Sequence, residues 1–281
     1  MGTYAITGSA SGMGRETAQL LRGNGHTVIG VDIKDADVVA DLSTPHGRQE
    51  AAERVLAASG DRLDGAVLAA GLGPGPGRDR VRQIGAVNYF GVVELLVAWR
   101  AALAATDRAK VVVVASNSAT TMPAVPRRAV KALLAHDLDR ALRAVRLLGP
   151  VAPTMMYGAS KIAVGRWVRR HAVLPEWAGS GVRLNALSPG AIMTPLLQEQ
   201  LSNPRQAKAV RSFPVPIGGF GDAKHMADWM CFMLSDAADF LCGSVVFVDG
   251  GTDAYFRSDD WPAAVPAHRL PGYLRRFKGF H

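Results

Sequence analysis

Short runs of β-branched and small apolar residues alternate with longer helical stretches along most of this chain, and no other feature of the sequence constrains its fold as tightly. Strand character falls at residues 4–7, 27–32, 65–69, 110–116, 183–187 and 244–248. Strands separated by helix-length connections build a parallel sheet covered by helices on both faces. Between the first two strands, residues 14–23 place Ala18, Leu20 and Leu21 toward a sheet, and Gly23 and Gly25 end the helix. With 281 residues and 48% apolar composition, the chain has the material for one large core. The expected fold class is α/β, a doubly wound parallel sheet in a single domain.

The first strand runs into TGSASGMG, Thr7 to Gly14, with Gly8, Gly12 and Gly14 opening the helix. Such a turn lets the backbone approach a pyrophosphate, which the free N–H groups and dipole of the helix N-terminus stabilise. Packing alone also explains glycine turns, so the second strand matters. It ends at Asp32, eighteen residues beyond Gly14, where a carboxylate accepts hydrogen bonds from both hydroxyls of an adenosine ribose. A 2′-phosphate at that point would meet a like charge. Lys34 lies close by, but no Arg follows Asp32 directly and Ser11 adds no cation, so the expected cofactor is NAD rather than NADP. Asp35 is better placed than Asp32 to cap a following helix.

Tyr157-Gly-Ala-Ser-Lys161 opens a helix expected to reach about residue 173, and a four-residue spacing puts the phenol and the ammonium on one face. A free phenol titrates near ~10, and a neighbouring cation favours its ionised form, so a Tyr/Lys pair can serve as acid and base. The same spacing occurs on ordinary surface helices. Ser116 closes the fourth strand at the carboxyl edge of the sheet, where its hydroxyl could hold a substrate oxygen; Ser118 is the fallback. Asn88, on a long apolar helix expected at 81–105, is either a satisfied core amide or part of a proton path. The seven histidines are dispersed and none stands in a GxSxG setting with a serine, which argues against a hydrolase. The chemistry requires no metal.

TGSASGMG, AAG ending at Gly71, Asn88, Ser116, YGASK and SPGAIMT (188–194) occur in the order of the short-chain dehydrogenase/reductase family, which residues 1–255 resemble. The resemblance implies a Rossmann sheet with Tyr157 as general acid/base and Lys161 lowering its pKa while holding the nicotinamide ribose. Ser116 would position the carbonyl and Asn88 anchor a water relay. Gly8, Ser11, Gly12, Met13, Asp32, Ala70 and Gly71 would hold the dinucleotide. Pro189, Gly190, Ile192 and Thr194 would line the nicotinamide, with Asp41 and Leu42 against adenine. DLST (41–44), AGLGP ending at Pro74, NYFG (88–91) and a long path from Ser116 to Tyr157 are similar to the 3α-hydroxysteroid dehydrogenase/carbonyl reductase branch. Residues 122–153 account for that path. Prolines there bracket an apolar stripe of Val130, Leu133, Leu134, Leu138, Ala141, Leu142 and Val145, expected to be a helical insertion before the tyrosine. In that branch the insertion implies a dimer in place of the four-helix contact.

The expected reaction interconverts a secondary alcohol and a ketone with NAD(H). Met122, Met155, Met156, Ile192, Met193, Leu196 and Leu197 suggest an apolar pocket for a bulky hydrophobic substrate, a hydroxysteroid or xenobiotic carbonyl, although Met155 and Met156 could equally pack the core. Residues 196–213 read as a lid. The alternative is a dinucleotide-sensing protein without turnover. The domain is expected at 1–260, followed by a Pro-rich basic tail, 261–281. A net charge of +8 raises nucleic acid or an anionic membrane as partners, but outside that tail the arginines are scattered along ordinary helices, so neither is expected. Two cysteines without CxxC spacing, and no signal peptide or uninterrupted run of 18 apolar residues, suggest a cytoplasmic protein.

Overall fold

A computed structural model describes residues 1–202, 204–260 and 265–278. Its main sheet has seven parallel strands: β1 (Thr3–Thr7), β2 (Thr27–Asp32), β3 (Val38–Val39), β4 (Gly65–Leu68), β5 (Lys110–Val114), β6 (Arg183–Pro189) and β7 (Val245–Val248). Their order is β3-β2-β1-β4-β5-β6-β7. The chain winds outward from β1 and returns to its other side at β4, so Thr7 is paired with both Val31 and Leu68. A crevice opens at that reversal, beyond the carboxyl ends of the strands.

Both sheet faces are buried, and the period of two decides which residue serves which core. Ala5, Val31, Ala66, Leu68, Val111, Val113 and Leu184 face one core. Tyr4, Ile6, Val28, Val67, Val112 and Val114 face the other. Helix α1 (Gly12–Gly23) contributes Ala18 and Leu21 to the second core. Helix α2 (Pro45–Ser59) packs on the first; Thr44 caps it by accepting the Gly47 amide at 3.0 Å, and Pro45 fits its first turn. Helix α3 (Arg80–Ala104) is apolar enough by composition to cross a membrane, yet 72% of its most apolar stretch is buried inside the fold. A π-helical turn, Ala86–Phe90, interrupts it at Asn88, and such turns cluster at functional sites.

After β5 a single helical turn, Ser118–Thr121, leads to the helix pair α4 (Arg127–Leu134) and α5 (Leu138–Arg146). Val130, Leu133, Ala141 and Val145 are buried there, with Leu134, Leu138 and Leu142 packed alongside. Helix α6 (Ala152–His171) therefore starts five residues before Tyr157. The insertion ends earlier than residue 153, because Pro153 lies inside the first turn of α6, where its missing N–H costs nothing. Helices α7 (Pro195–Ser202), α8 (Pro204–Arg211) and α9 (Ala223–Leu234) follow, the last burying Met226, Met230 and Met233 against the second core. Asp35 caps no helix; it sits at φ 51° in the exposed turn after β2.

Candidate active site

The glycine turn is shaped by what cannot be added to it. Gly8 has φ +71°, and a Cβ there would lie 2.8 Å from the Ala70 nitrogen; one at Gly14 would lie 2.2 Å from the Gly8 carbonyl oxygen. The turn is thus pressed against the end of β4, whose Ala70 amide donates to the Thr7 hydroxyl at 3.1 Å. Asp32 Oδ2 accepts the Ala10 amide at 2.9 Å and Oδ1 the Ile33 amide at 2.7 Å, which fixes the carboxylate beside the turn with further lone pairs available. Gly8, Ser11, Gly12, Met13, Asp32, Asp41, Leu42, Ala70 and Gly71 all line one cavity of about 470 Å³. Asp41 and Leu42 reach it because α2 begins against their backbone, where Gly47 leaves no room for a Cβ beside the Asp41 oxygen.

A second cavity, of about 360 Å³, contains Ser116, Tyr157, Lys161, Pro189, Gly190, Ile192 and Thr194 in its wall. Met13, Ala69, Gly71, Leu72 and Thr194 belong to both walls, so one groove runs from Asp32 to Tyr157. The residues present fit a dinucleotide: a backbone turn closed by glycines, a carboxylate at one end and polar hydroxyls at the other.

Lys161 is buried and its Nζ donates to the Val114 carbonyl at 2.8 Å, 5.9 Å from the centre of the Tyr157 ring. Burial lowers its pKa from 10.5 to about 8. Burial raises the Tyr157 pKa, while the nearby Ser116 and Ser118 hydroxyls pull it down by a smaller amount. The sequence led to a phenol lowered by Lys161; here desolvation dominates. Ser116 Oγ accepts the Ser118 amide at 3.2 Å, which leaves its own proton for the phenol or for an oxygen in the cavity. Ser116 itself lies two residues past the end of β5, on the loop rather than in the strand.

Asn88 is a buried, hydrogen-bonded amide. Its Oδ1 accepts the Leu72 amide at 2.7 Å, and its Nδ2 donates to the Leu72 carbonyl at 2.9 Å and to Ser160 Oγ at 3.4 Å. It clamps the loop after β4, and this loop brings Leu72, Gly73 and Pro74 into the second cavity. Of the expected apolar wall, Met122, Ile192 and Leu197 take part. Met156 is wholly buried in the first core, Met155 packs beside it and Met193 is exposed; the Leu196 side chain lies outside the described residues. The helical phase explains this, since α6 turns Tyr157 to the groove and Met156 away from it.

Val210 and Phe213, from the segment expected to be a lid, also face the second cavity, and so does Asn117, which was not expected there. Asn117 was legible only as a neighbour of Ser116. Its amide donates to the Pro189 carbonyl at 3.0 Å and its Nδ2 to the buried Asp249 carboxylate at 3.3 Å, pinning the Ser116 turn to β6 and β7.

Fold and groove together define a dinucleotide-binding α/β protein with a Tyr/Lys/Ser cluster at the nicotinamide end. Residues 142–253 match a family model described as enoyl-(acyl carrier protein) reductase. The chain is 37% identical over 260 residues to the 3-alpha-hydroxysteroid dehydrogenase/carbonyl reductase of Comamonas testosteroni, covering 92% of this chain and 98% of that one. It is 31% identical to the cis-4-hydroxycyclohexanecarboxylate dehydrogenase of Sinomonas cyclohexanicum, over 89% and 95% of the two chains. The structure of 3-alpha-hydroxysteroid dehydrogenase from Pseudomonas sp. B-0831, complexed with NADH, superposes with a TM-score of 0.85 at 43% identity, covering 92% of this chain and 99% of that one. The chain belongs to the short-chain dehydrogenase/reductase family.

Proposed function

We propose that the protein is an NAD(H)-dependent oxidoreductase that interconverts a secondary alcohol and a ketone on a bulky hydrophobic substrate. The observation that carries this reading is the single groove with the glycine turn and Asp32 at one end and Tyr157, Ser116 and Lys161 at the other. When bound, the reduced nicotinamide supplies hydride to the carbonyl carbon. Tyr157 donates its phenolic proton to the carbonyl oxygen, and the Ser116 hydroxyl stabilises the charge on that oxygen as it develops. Lys161, held by the Val114 carbonyl, stands beside the phenol, where its positive charge favours the phenolate as it forms. Oxidation runs through the same groups in reverse, with Tyr157 accepting the proton.

Among the described residues, Leu72, Met122, Ile192, Leu197, Val210 and Phe213 form an apolar wall, which suits an apolar ring system. The names of the relatives from Comamonas and Pseudomonas support a steroid or a comparably large carbonyl compound. A homodimer through the exposed edge at β7 and α9 agrees with the aromatic residues Trp229, Phe232 and Phe240, which stand exposed there. The free thiols Cys231 and Cys242 and the demand for NAD(H) support a cytoplasmic setting. No feature of the groove favours the alternative of a dinucleotide sensor without turnover. The test is a panel of steroid and cyclic ketones read by NADH consumption and repeated with NADPH. Turnover with NADH on apolar ketones is expected; no turnover despite NADH binding would overturn the proposal.

A further inference from the structure

We infer that Arg80 is a phosphate-binding residue of the dinucleotide groove, reaching the pyrophosphate from the wall of the cavity it shares with the glycine turn. This rests on the reading of the groove as an NAD(H) site. Among the described residues, Arg80 is the one cationic side chain in the wall of the cavity that holds Gly8, Gly12 and Asp32. The glycine turn brings no cation of its own, since Arg15, in the first turn of α1, is ion-paired with Glu16 at 2.9 Å and lies outside the cavity wall. A pyrophosphate carries two negative charges at neutral pH, and backbone N–H groups with a helix dipole neutralise them only in part.

The side chain is held in place by backbone. Nε donates to the carbonyl of buried Gly73 at 2.9 Å. At Gly75 a Cβ would lie 3.2 Å from Nε and 3.3 Å from Nη2, so the guanidinium lies close against the Gly75 backbone. That leaves the Nη groups to a ligand. Among the described residues Arg80 makes no ion pair, whereas Arg48 pairs with Glu94 and Arg82 with Asp139. An arginine anchored through Nε, with no carboxylate partner, in the wall of an anion-binding groove is arranged for bidentate contact with phosphate oxygens. The loop it anchors is the one Asn88 clamps, so cofactor binding would tighten the roof of the substrate cavity at Leu72 and Pro74.

The experiment is calorimetric titration of wild type, Arg80→Ala and Arg80→Lys with NADH, NADPH, ADP and adenosine, at low and moderate salt. Arg80→Ala is expected to weaken NADH and ADP about tenfold, the size of a charge-assisted contact, and to leave adenosine within about twofold. Arg80→Lys should recover part of the loss, and the wild type should lose affinity more steeply with salt than Arg80→Ala. Unchanged ADP binding in Arg80→Ala would overturn the inference. Equal losses for adenosine would mean that the guanidinium stacks on the base, and a loss confined to NADPH would move the contact to the 2′-phosphate; either result overturns the pyrophosphate assignment. Failure of the wild type to bind NADH would instead overturn the reading on which the inference stands.

Discussion

Replacing Lys161 by methionine separates what the buried ammonium does to the fold from what it does for the reaction. Lys161 is 6% exposed, and its pKa falls from 10.5 to about 8 because of burial. Carrying the charged form into the folded protein therefore costs about 3 kcal/mol at neutral pH. The unfolded chain holds the proton more tightly, so this cost is fully present below pH 8 and fades as the pH rises toward 10.5. Methionine removes it and fills a similar volume, but gives up the hydrogen bond to the Val114 carbonyl, worth about 1–2 kcal/mol. Lys161→Met should thus be more stable than wild type by about 1–2 kcal/mol at pH 7, and no more stable than wild type at pH 10.5. Urea denaturation of the cofactor-free protein at both pH values measures the difference directly. Turnover should fall by about a hundredfold or more, as expected for loss of a group that supports acid–base transfer. A variant that is less stable at pH 7 by an amount independent of pH would mean that the ammonium is not desolvated and that its burial carries no such cost.

Three further outcomes follow from the same geometry. Because burial holds the Tyr157 phenol protonated at neutral pH, ketone reduction should be flat across neutral pH and fall at alkaline pH, while alcohol oxidation rises with pH; Ser116→Ala removes a donor that lowers the phenol pKa and should move both limbs to higher pH in stopped-flow pH profiles. A Cβ at Gly158 would meet Met122 Sδ at 2.6 Å and Val125 Cγ2 at 2.9 Å, so Gly158→Ala should push Met122 into the substrate cavity, raising KM for apolar ketones several-fold with NADH affinity unchanged. Asp32→Asn keeps an acceptor for the Ala10 amide but removes the negative charge, and should shift the NADH/NADPH ratio of kcat/KM toward NADPH by about tenfold.

Six of the seven strands of the main sheet were legible because each supplies a continuous apolar run to two cores. β3 was not: Val38 and Val39 form too short a run to signal a strand, and Val39 is half-exposed. The start of α6 was misplaced because Pro153 reads as a boundary, although proline fits the first turn of a helix. The glycine turn, Asp32, Ser116, Tyr157 and Lys161 were readable since their spacing carries the chemistry, and the groove does bring them together. The direction of the Tyr157 shift was not readable, because a four-residue spacing gives proximity to Lys161 but says nothing about how far either group is removed from water. Met155, Met156, Asn117 and Arg80 share that limit: their roles depend on which way a helix or loop turns once packed.

Tyr157 moves the proton while the rest of the groove holds the cofactor. Tyr157→Phe separates the two roles when NADH affinity by fluorescence titration and single-turnover reduction of an apolar ketone are measured on the same preparation. The variant should bind NADH within about twofold of wild type and reduce the ketone about a hundredfold more slowly, or slower still. A variant that binds NADH and still reduces the ketone at a comparable rate would contradict this assignment.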